Sequence, residues 1–160
     1  MRLKHVGGKS DRGVDLRGEW PLKELKAVRR DTQQAASLPD ISPTILAQCK
    51  NVKSGCTPDH VRALIGTIMG YGEFAKDTLG IMAIAGYKNF TKDVVSQFMA
   101  SPVPLSLAKI DGTLVQSLIF NHAADELLKG LTVTTHFDSR GHPCPSLLCN
   151  GHALQILPTL

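Results

Sequence analysis

Three polar side chains, Asp15, Gln48 and Lys50, are the residues in this sequence whose types and spacing could do chemistry together. Asp15 lies in the strand-like segment VDLRGEW, and the other two lie in a second such segment, TILAQCK. Side chains two residues apart leave the same face of a strand, so Gln48 and Lys50 share a face while Cys49 is expected on the opposite, buried face. If the two strands are neighbours, the three polar side chains converge on one edge of a sheet.

Such a group suits metal-assisted hydrolysis of a phosphodiester. A carboxylate and an amide oxygen are hard ligands for Mg²⁺ or Mn²⁺, and Mg²⁺ normally keeps several waters and accepts phosphate oxygens of the substrate. The ion would act as a Lewis acid and activate water, while Lys50 would hold the scissile phosphate or orient that water. Asp15 and Gln48 are therefore the candidate metal ligands. Taken alone, Asp15 could also be a turn residue or an ion-pair partner of Arg17 or Lys50, and Glu19 on its face is either an auxiliary ligand or a solvated charge.

A basic run follows the first strand and could contact nucleic acid: Lys23, Lys26, Arg29 and Arg30. Phosphate contacts of this kind supply much of the affinity for nucleic acids, and the net charge of +4 suits a polyanionic partner without requiring one. No aromatic side chains interleave with the run to stack on bases. DNA contact and a simply solvated surface therefore both remain open for these four residues.

A second combination of metal-binding residue types lies near the C-terminus, in HPCPSLLCNGH, which contains His142, Cys144, Cys149 and His152. Histidine and cysteine are the usual ligands of structural zinc, but these spacings match none of the common finger patterns. The pair Asn150-Gly151 already explains the segment as a β-hairpin, because both residue types accept the positive φ angles of a tight turn. A hairpin is therefore preferred over a zinc site.

Alternating strand and helix signals predict the elements that position these residues. Period-two alternation indicates half-buried strands, and apolar residues at helical spacing after an N-cap indicate helices. In the first half they predict strand 14–20, with Val14 and Trp20 on one face, and then a polar insertion 21–43 with at most a short basic helix. Strand 44–50 follows, and then a helix that starts after Thr57. Gly66 and Gly70 in this helix are expected to permit close approach to a sheet. In the second half they predict buried strand 79–86, a helix capped by Thr91, strand 103–110, a helix from the Asp111-Gly112 turn to Leu128, and a β-rich tail.

This order of elements predicts an α/β fold, with a mixed sheet flanked by helices and a short C-terminal β appendix. A chain of 160 residues, 42% hydrophobic and 20% charged, fits one globular domain. No apolar run approaches the ~20 residues of a membrane-spanning helix, and no secretory signal is expected. Four cysteines are too few and too scattered for a disulfide framework, so reduced thiols are expected.

The segments that hold the candidate site resemble the PD-(D/E)XK restriction-endonuclease-like superfamily, in its Mrr-like branch. SDRGVD resembles the G-D-G-G-I-D stretch of that branch, and LAQCK resembles its V-Q-x-K strand. The similarity continues through VRALIGTI, LGIMAIAGYKNFTKDV and LAKIDGTL, so that it covers residues 7–115. The opening GGxxDxGVDLxGxW, with the later QCKN, is most similar to a fungal mitochondrial family named for being required for respiratory growth.

The resemblance implies one nuclease-like domain over 1–160, with its core at 7–115, an insertion at 21–43 and a β-rich extension at 131–160. It implies a metal-binding acid at Asp15, a second ligand at Gln48, the catalytic lysine at Lys50 and an auxiliary acid at Asp11. Gln48 stands where the broader superfamily has Asp or Glu, which predicts weaker metal binding. Members of the superfamily usually begin with a glutamate-bearing helix and a strand before the glycine-rich turn, and this chain is expected to lack both.

The implied function is Mg²⁺- or Mn²⁺-dependent hydrolysis of DNA in mitochondria, by a protein that could be a homodimer. Two alternatives belong to other classes. One is a catalytically inactive module that keeps the fold and binds nucleic acid, and the other is a structural mitochondrial assembly protein.

Overall fold

A computed structural model describes residues 1–8, 13–51, 55–85 and 89–157 of the chain. In these ranges the protein is a mixed α/β structure with a mostly sheet core and a few helices. The strands are β1 (Arg2–His5), β2 (Leu16–Glu19), β3 (Ala27–Arg29), β4 (Thr44–Lys50), β5 (Thr78–Ala85), β6 (Leu105–Asp111), β7 (Leu114–Phe120), β8 (Leu131–Phe137), β9 (Pro143–Cys149) and β10 (His152–Ile156). The α-helices are α1 (Pro58–Met69), α2 (Lys92–Met99) and α3 (His122–Leu128), and two 3₁₀ turns span Leu22–Glu24 and Gly72–Asp77.

Six strands form the larger sheet, in the order β1-β2-β4-β5-β6-β7. Its centre, β4-β5-β6, is parallel, and the flanking strands pair antiparallel. The predicted strand 44–50 is confirmed at its full length, and β5 is buried over seven of its eight residues, as a strand covered on both faces should be. The connections between the parallel strands run through α1 and α2, which is the arrangement that parallel pairing requires.

The C-terminal strands form a second sheet, in the order β3-β10-β9-β8. The polar segment 21–43 thus supplies a strand, β3, and the helix predicted there is limited to the 3₁₀ turn Leu22–Glu24. Only three residues of β3 pair, which is too few for alternation to be visible in the sequence. The predicted hairpin turn is confirmed, since Asn150 and Gly151 have φ angles of +49° and +81°.

Two hydrophobic clusters cover the two faces of the larger sheet. One contains Ile45, Ala47 and Leu79 together with residues from α3 and the second sheet, such as Leu128 and Leu154. The other lies under α1 and α2 and is built from the following buried side chains: Val14, Leu46, Cys56, Val61, Leu64, Ile68, Met82, Ile84, Val94, Phe98, Val103, Leu105 and Leu107. Alternation along β4 therefore sends Ile45 and Ala47 to the first cluster and Leu46 to the second.

Helix α1 begins where its sequence predicts, with the backbone N–H of Thr57 donating to Nδ1 of His60 at 3.2 Å. The close helix–sheet approach assigned to Gly66 is wrong, because Gly66 is exposed and a Cβ there would meet no atom within 4 Å. The approach occurs instead at Gly80 in β5, where a Cβ would stand 2.4 Å from Cδ1 of Ile68 and 2.7 Å from Cδ2 of Leu105.

This difference predicts opposite effects for two alanine substitutions. Gly80→Ala should lower the free energy of unfolding by about 1–3 kcal/mol, because the added methyl overpacks a filled core. Gly66→Ala should leave it unchanged or raise it by up to about 1 kcal/mol, because alanine favours a helix and the position has room. Urea unfolding followed by circular dichroism measures both, and equal effects of the two substitutions would contradict this assignment of the contact.

The helix predicted from the Asp111-Gly112 turn to Leu128 is wrong over its first half. Gly112, with φ +56°, closes a hairpin between β6 and β7, and the helix α3 begins only at His122. Leucines at 114 and 118 lie four residues apart, a spacing that fits a helix as well as one face of a strand. The β-branched and aromatic residues of LVQSLIF favour the strand.

The N-terminal region also departs from two expectations. The strand expected to be missing before the glycine-rich turn is present as β1, which pairs antiparallel with β2. The predicted shared face of Val14 and Trp20 is not observed, because Val14 packs under α1 and α2 whereas Trp20 packs in the opposite cluster. Regular pairing starts only at Leu16, so alternation does not extend back to Val14.

In the described ranges, none of the helices has the length and apolar composition needed to cross a lipid bilayer.

Candidate functional site

The pairing of β2 with β4 brings Asp15 alongside Gln48. The two strands are antiparallel neighbours, with Leu16 opposite Ala47. The backbone N–H of Asp15 donates to the carbonyl of Ala47 at 2.9 Å, and its carboxylate oxygen Oδ2 accepts the backbone N–H of Cys49 at 2.6 Å. Asp15 is therefore held to β4 on both sides of Gln48, which is the juxtaposition that the two sequence segments predict.

The side chain of Gln48 is buried, with 6% of its surface exposed. Its amide nitrogen Nε2 lies against Gly13, where a Cβ would stand only 2.6 Å away. Its amide oxygen Oε1 is buried and has no hydrogen-bond partner among the described residues. An unpaired buried carbonyl oxygen costs about 1–3 kcal/mol, so this oxygen calls for an explanation.

Lys50 lies two residues beyond Gln48 at the end of β4, and it is half-buried. The Cys49 between them is exposed rather than buried as predicted, because the sheet's apolar cover ends before this position. Partial burial raises the pKa of the Cys49 thiol, and the nearby Asp15 carboxylate raises this pKa further. The Lys50 ammonium lowers it. Both charges thus lie near the same sulfur, at one end of β4.

The alternative interpretation of Asp15 as an ion-pair residue is not observed. In the part of the chain that the structure describes, no ion pair joins it to Arg17 or Lys50. The guanidinium of Arg17 instead lies 5.4 Å from the centre of the Tyr71 ring, a cation–π distance. The carboxylate is used to hold β4, and one of its oxygens, Oδ1, accepts no hydrogen bond from a described residue.

The structure does not bring Glu19 to this group. Glu19 lies at the far end of β2, opposite Thr44. Its Oε1 forms an ion pair with a guanidinium nitrogen of Arg2 at 3.1 Å, and Arg2 also pairs with Glu24. Asp11, the predicted auxiliary acid, lies outside the described residues.

The four residues of the basic run lie on different elements. Lys23 lies in a 3₁₀ turn and is exposed, while Arg29 belongs to β3. Arg30 is committed to the second sheet, since its Nε donates to the carbonyl of Leu154 at 3.0 Å. Lys26 is exposed next to β3, and its carbonyl accepts the N–H of Leu157.

The side chains of the zinc hypothesis do not converge on one another, and Sγ of Cys144 contacts only the backbone carbonyl of His142 among the described residues. Nδ1 of His142 lies 3.2 Å from Asp138, Nδ1 of His152 lies 3.5 Å from Asp31, and Sγ of buried Cys149 contacts the carbonyl of Ser37. Across the described residues, no three His, Cys, Asp or Glu side chains cluster closely enough to hold a metal ion.

Asp15 and Gln48 nevertheless fit a hard cation that keeps most of its waters. Two protein oxygens, Oδ1 of Asp15 and Oε1 of Gln48, are left without hydrogen-bond donors in the described part of the chain, and Mg²⁺ is usually bound by one or two such ligands. They lie towards the carboxyl end of the parallel strand β4, the end at which open α/β sheets bind ligands. An apolar cavity of about 240 Å³ opens at the same end of β4, but neither Asp15 nor Gln48 lines it; its lining residues are Cys49, Lys50, Asn51, Ala83, Ile84, Ala85 and Ile110.

One neighbour of Asp15 was missed by the sequence reasoning. The imidazole of His5, in β1, has Nε2 3.2 Å from the point where a Cβ on Gly7 would stand, and Oδ1 of Asp15 is 3.6 Å from the same point. Ten residues separate His5 from Asp15, and only the unpredicted pairing of β1 with β2 brings them together. No periodicity in the sequence signals this contact, because β1 is short and fully exposed.

Comparison with known proteins places the chain in a family. The family described as "Required for respiratory growth protein 7" matches residues 1–136. An uncharacterised mitochondrial protein of Schizosaccharomyces pombe is 31% identical over 138 residues, which cover 83% of this chain and 48% of that protein. The mitochondrial "Required for respiratory growth protein 7" of Kluyveromyces lactis is 30% identical over 129 residues, covering 68% of this chain and 55% of that protein.

The chain spans about half the length of these curated relatives. No solved structure matches it. Both relatives are named as mitochondrial proteins, which confirms the predicted mitochondrial localisation. The predicted kinship with the respiratory-growth family is confirmed as well, and this chain belongs to the family of required for respiratory growth protein 7.

Proposed function

We propose that this domain hydrolyses phosphodiester bonds of DNA with the help of Mg²⁺ or Mn²⁺, on a restriction-endonuclease-like version of the mixed sheet. One observation carries the proposal: the buried amide oxygen of Gln48 lacks a hydrogen-bond donor among the described residues, beside a carboxylate with one uncommitted oxygen. A bound cation would satisfy both oxygens. The Kluyveromyces lactis relative is named for respiratory growth, and we place the proposed activity in that mitochondrial context.

Asp15 and Gln48 would hold the ion, which would supply Lewis-acid activation of the scissile phosphate and of water. The Oδ2 bond to the Cys49 N–H fixes the carboxylate against β4, so that Oδ1 stays at the site. The Gln48 amide packs directly against the backbone at Gly13, where any Cβ would collide with Nε2, so the site needs glycine at this position. These two contacts orient the proposed ligands before any cation arrives.

Lys50 would hold the scissile phosphate or orient the attacking water. Its side chain shares the face of Gln48, and its ammonium lies near enough to Cys49 to influence that thiol. In the described residues it forms no ion pair that would occupy its charge. A lysine with this freedom can serve an anionic substrate.

A plasmid-nicking assay tests the proposal. The protein should convert supercoiled plasmid to the open-circular form with Mg²⁺ or Mn²⁺, and EDTA should abolish the product. Lys50→Ala should slow nicking by about 10²-fold, within the range expected for loss of one catalytic group, whereas Lys92→Ala, at the exposed start of α2, should leave it unchanged. Equal rates for the two variants would remove Lys50 from the mechanism.

The same experiment separates this proposal from its main alternative, a nucleic-acid-binding module without activity. That alternative is motivated by the neutral amide at position 48 and by the use of Asp15 Oδ2 in a structural hydrogen bond. It predicts DNA binding that weakens steeply with salt and no product that depends on a cation. Absence of DNA binding at low salt would favour a structural role in the mitochondrion instead.

A further inference from the structure

The imidazole of His5 lies near the proposed site but has no part in the proposed hydrolysis. His5 is the last residue of β1, and the N–H of the next residue, Val6, donates to the carbonyl of Asp15 at 2.9 Å. This bond holds the chain after His5 against the backbone of Asp15. Among the described residues, none forms a hydrogen bond or an ion pair with the imidazole.

Gly7 fixes how close the two side chains come. Nε2 of His5 and Oδ1 of Asp15 stand 3.2 Å and 3.6 Å from the position of a Cβ on Gly7, so these two atoms are at most about 6.8 Å apart. The oxygen on this side is Oδ1, the one that Oδ2's bond to Cys49 leaves uncommitted. Absence of a side chain at residue 7 thus leaves space next to both the imidazole nitrogen and the carboxylate oxygen.

We propose that His5 is a nitrogen ligand of the cation that Asp15 and Gln48 hold, an inference that rests on the proposed function. The ligand set would then be two oxygens and one imidazole. Because imidazole suits Mn²⁺, Co²⁺ and later transition metals better than it suits Mg²⁺, the protein should prefer Mn²⁺ to Mg²⁺. The exposed ring can turn towards the carboxylate without disturbing the core.

Calorimetric titration of the protein with Mn²⁺ and, separately, Mg²⁺ tests this assignment without any substrate. His5→Ala should raise the dissociation constant for Mn²⁺ by about tenfold and change that for Mg²⁺ by less than about twofold. His122→Ala removes an exposed imidazole from the start of α3 and should change neither value. Electron spin-echo spectra of the Mn²⁺ complex should show a directly bound nitrogen, and this signal should vanish in His5→Ala.

A glycine pair provides a second test that keeps the imidazole. Gly7→Ala places a methyl group 3.2 Å from the His5 ring and should weaken Mn²⁺ binding, whereas Gly8→Ala meets no atom within 4 Å and should not. Neither glycine has a positive φ angle, so backbone strain does not explain a difference between them.

The outcomes distinguish the ligand assignment from the site itself. If Asp15→Asn abolishes Mn²⁺ binding while His5→Ala and wild type have equal affinities and equal spectra, His5 is not a ligand and the proposed site stands. If wild type binds no Mn²⁺ at millimolar concentration, or if Asp15→Asn binds it as well as wild type does, the metal site and the function proposed from it are both wrong.

Discussion

Asp15→Asn should reduce cation-dependent plasmid nicking by at least about 100-fold while leaving the fold intact. The amide keeps an oxygen that can accept the N–H of Cys49, so the tie between β2 and β4 survives. What is lost is one negative charge next to a divalent ion. A unit charge pair at ~4 Å is worth about 4 kcal/mol at an effective dielectric constant of 20, which corresponds to roughly 10³-fold before solvation offsets part of it.

Glu19→Gln is the matched control for this substitution. It removes the same charge at the other end of β2, where the side chain of Glu19 forms an ion pair with Arg2. Exposed ion pairs contribute little to stability, so this variant should fold and nick plasmid as wild type does. Initial nicking rates with 5–10 mM Mg²⁺ or Mn²⁺, about the range that saturates weak sites, provide the measurement. A similar loss in both variants would indicate a general effect of charge and not a site at Asp15.

The largest effect on stability is expected at Asn121, whose side chain is fully buried. Its Oδ1 accepts the N–H of Leu105, the first residue of β6, at 2.9 Å and, as the N-cap of α3, the N–H of Ala124 in the first turn of that helix at 3.0 Å. Its Nδ2 lies within 3.0–3.3 Å of the carbonyls of Phe98, Ser101 and Val103. Asn121→Ala removes the acceptor of the Leu105 and Ala124 N–H groups and one donor to each carbonyl, and it should lower the free energy of unfolding by about 3–5 kcal/mol.

Thr91→Ala is the control variant, because it removes an ordinary helix cap and leaves the hydrogen bonds of Asn121 in place. Thr91 accepts the N–H of Val94 at 3.3 Å as the N-cap of α2, but it is exposed, and among the described residues its side chain bonds to no other element. Loss of such a cap costs about 1 kcal/mol. Urea midpoints converted with a common slope compare the two variants. An Asn121→Ala effect no larger than that of Thr91→Ala would show that water replaces the buried bonds.

The elements that could be predicted from the sequence are those whose local signals agree with their tertiary setting. β4 and β5 are continuous apolar runs, and α1 and α2 begin at capping residues followed by apolar residues at helical spacing. β3 and β7 were missed for physical reasons. Three paired residues of β3 carry too little pattern, and leucines four apart in β7 satisfy both periodicities until the turn at Gly112 decides between them.

The candidate site was predictable where it depends on neighbouring strands. The sequence pattern around Asp15 and that around Gln48 each predict a strand, and the register of β2 and β4 confirms that the two strands are neighbours. The exposure of Cys49 depends on where the cover of the sheet ends, and the position of His5 depends on the pairing of a short exposed strand. Neither is encoded in a local pattern, so neither could be read from the residues themselves. The metal-binding and catalytic roles stay predictions until the assays above are done.

The pairing of β3 with β10 joins distant parts of the chain: Arg30 bonds to Leu154, 124 residues further on. Contacts so far apart in sequence form late, because the loop between them must close at an entropic cost before the contact repays it. During synthesis or passage through a translocation pore, which proceed along the chain, the segment near residue 28 must therefore wait for the last strand to emerge. Until then, the apolar surface around Leu22 and Ala27 is left for a chaperone to shield.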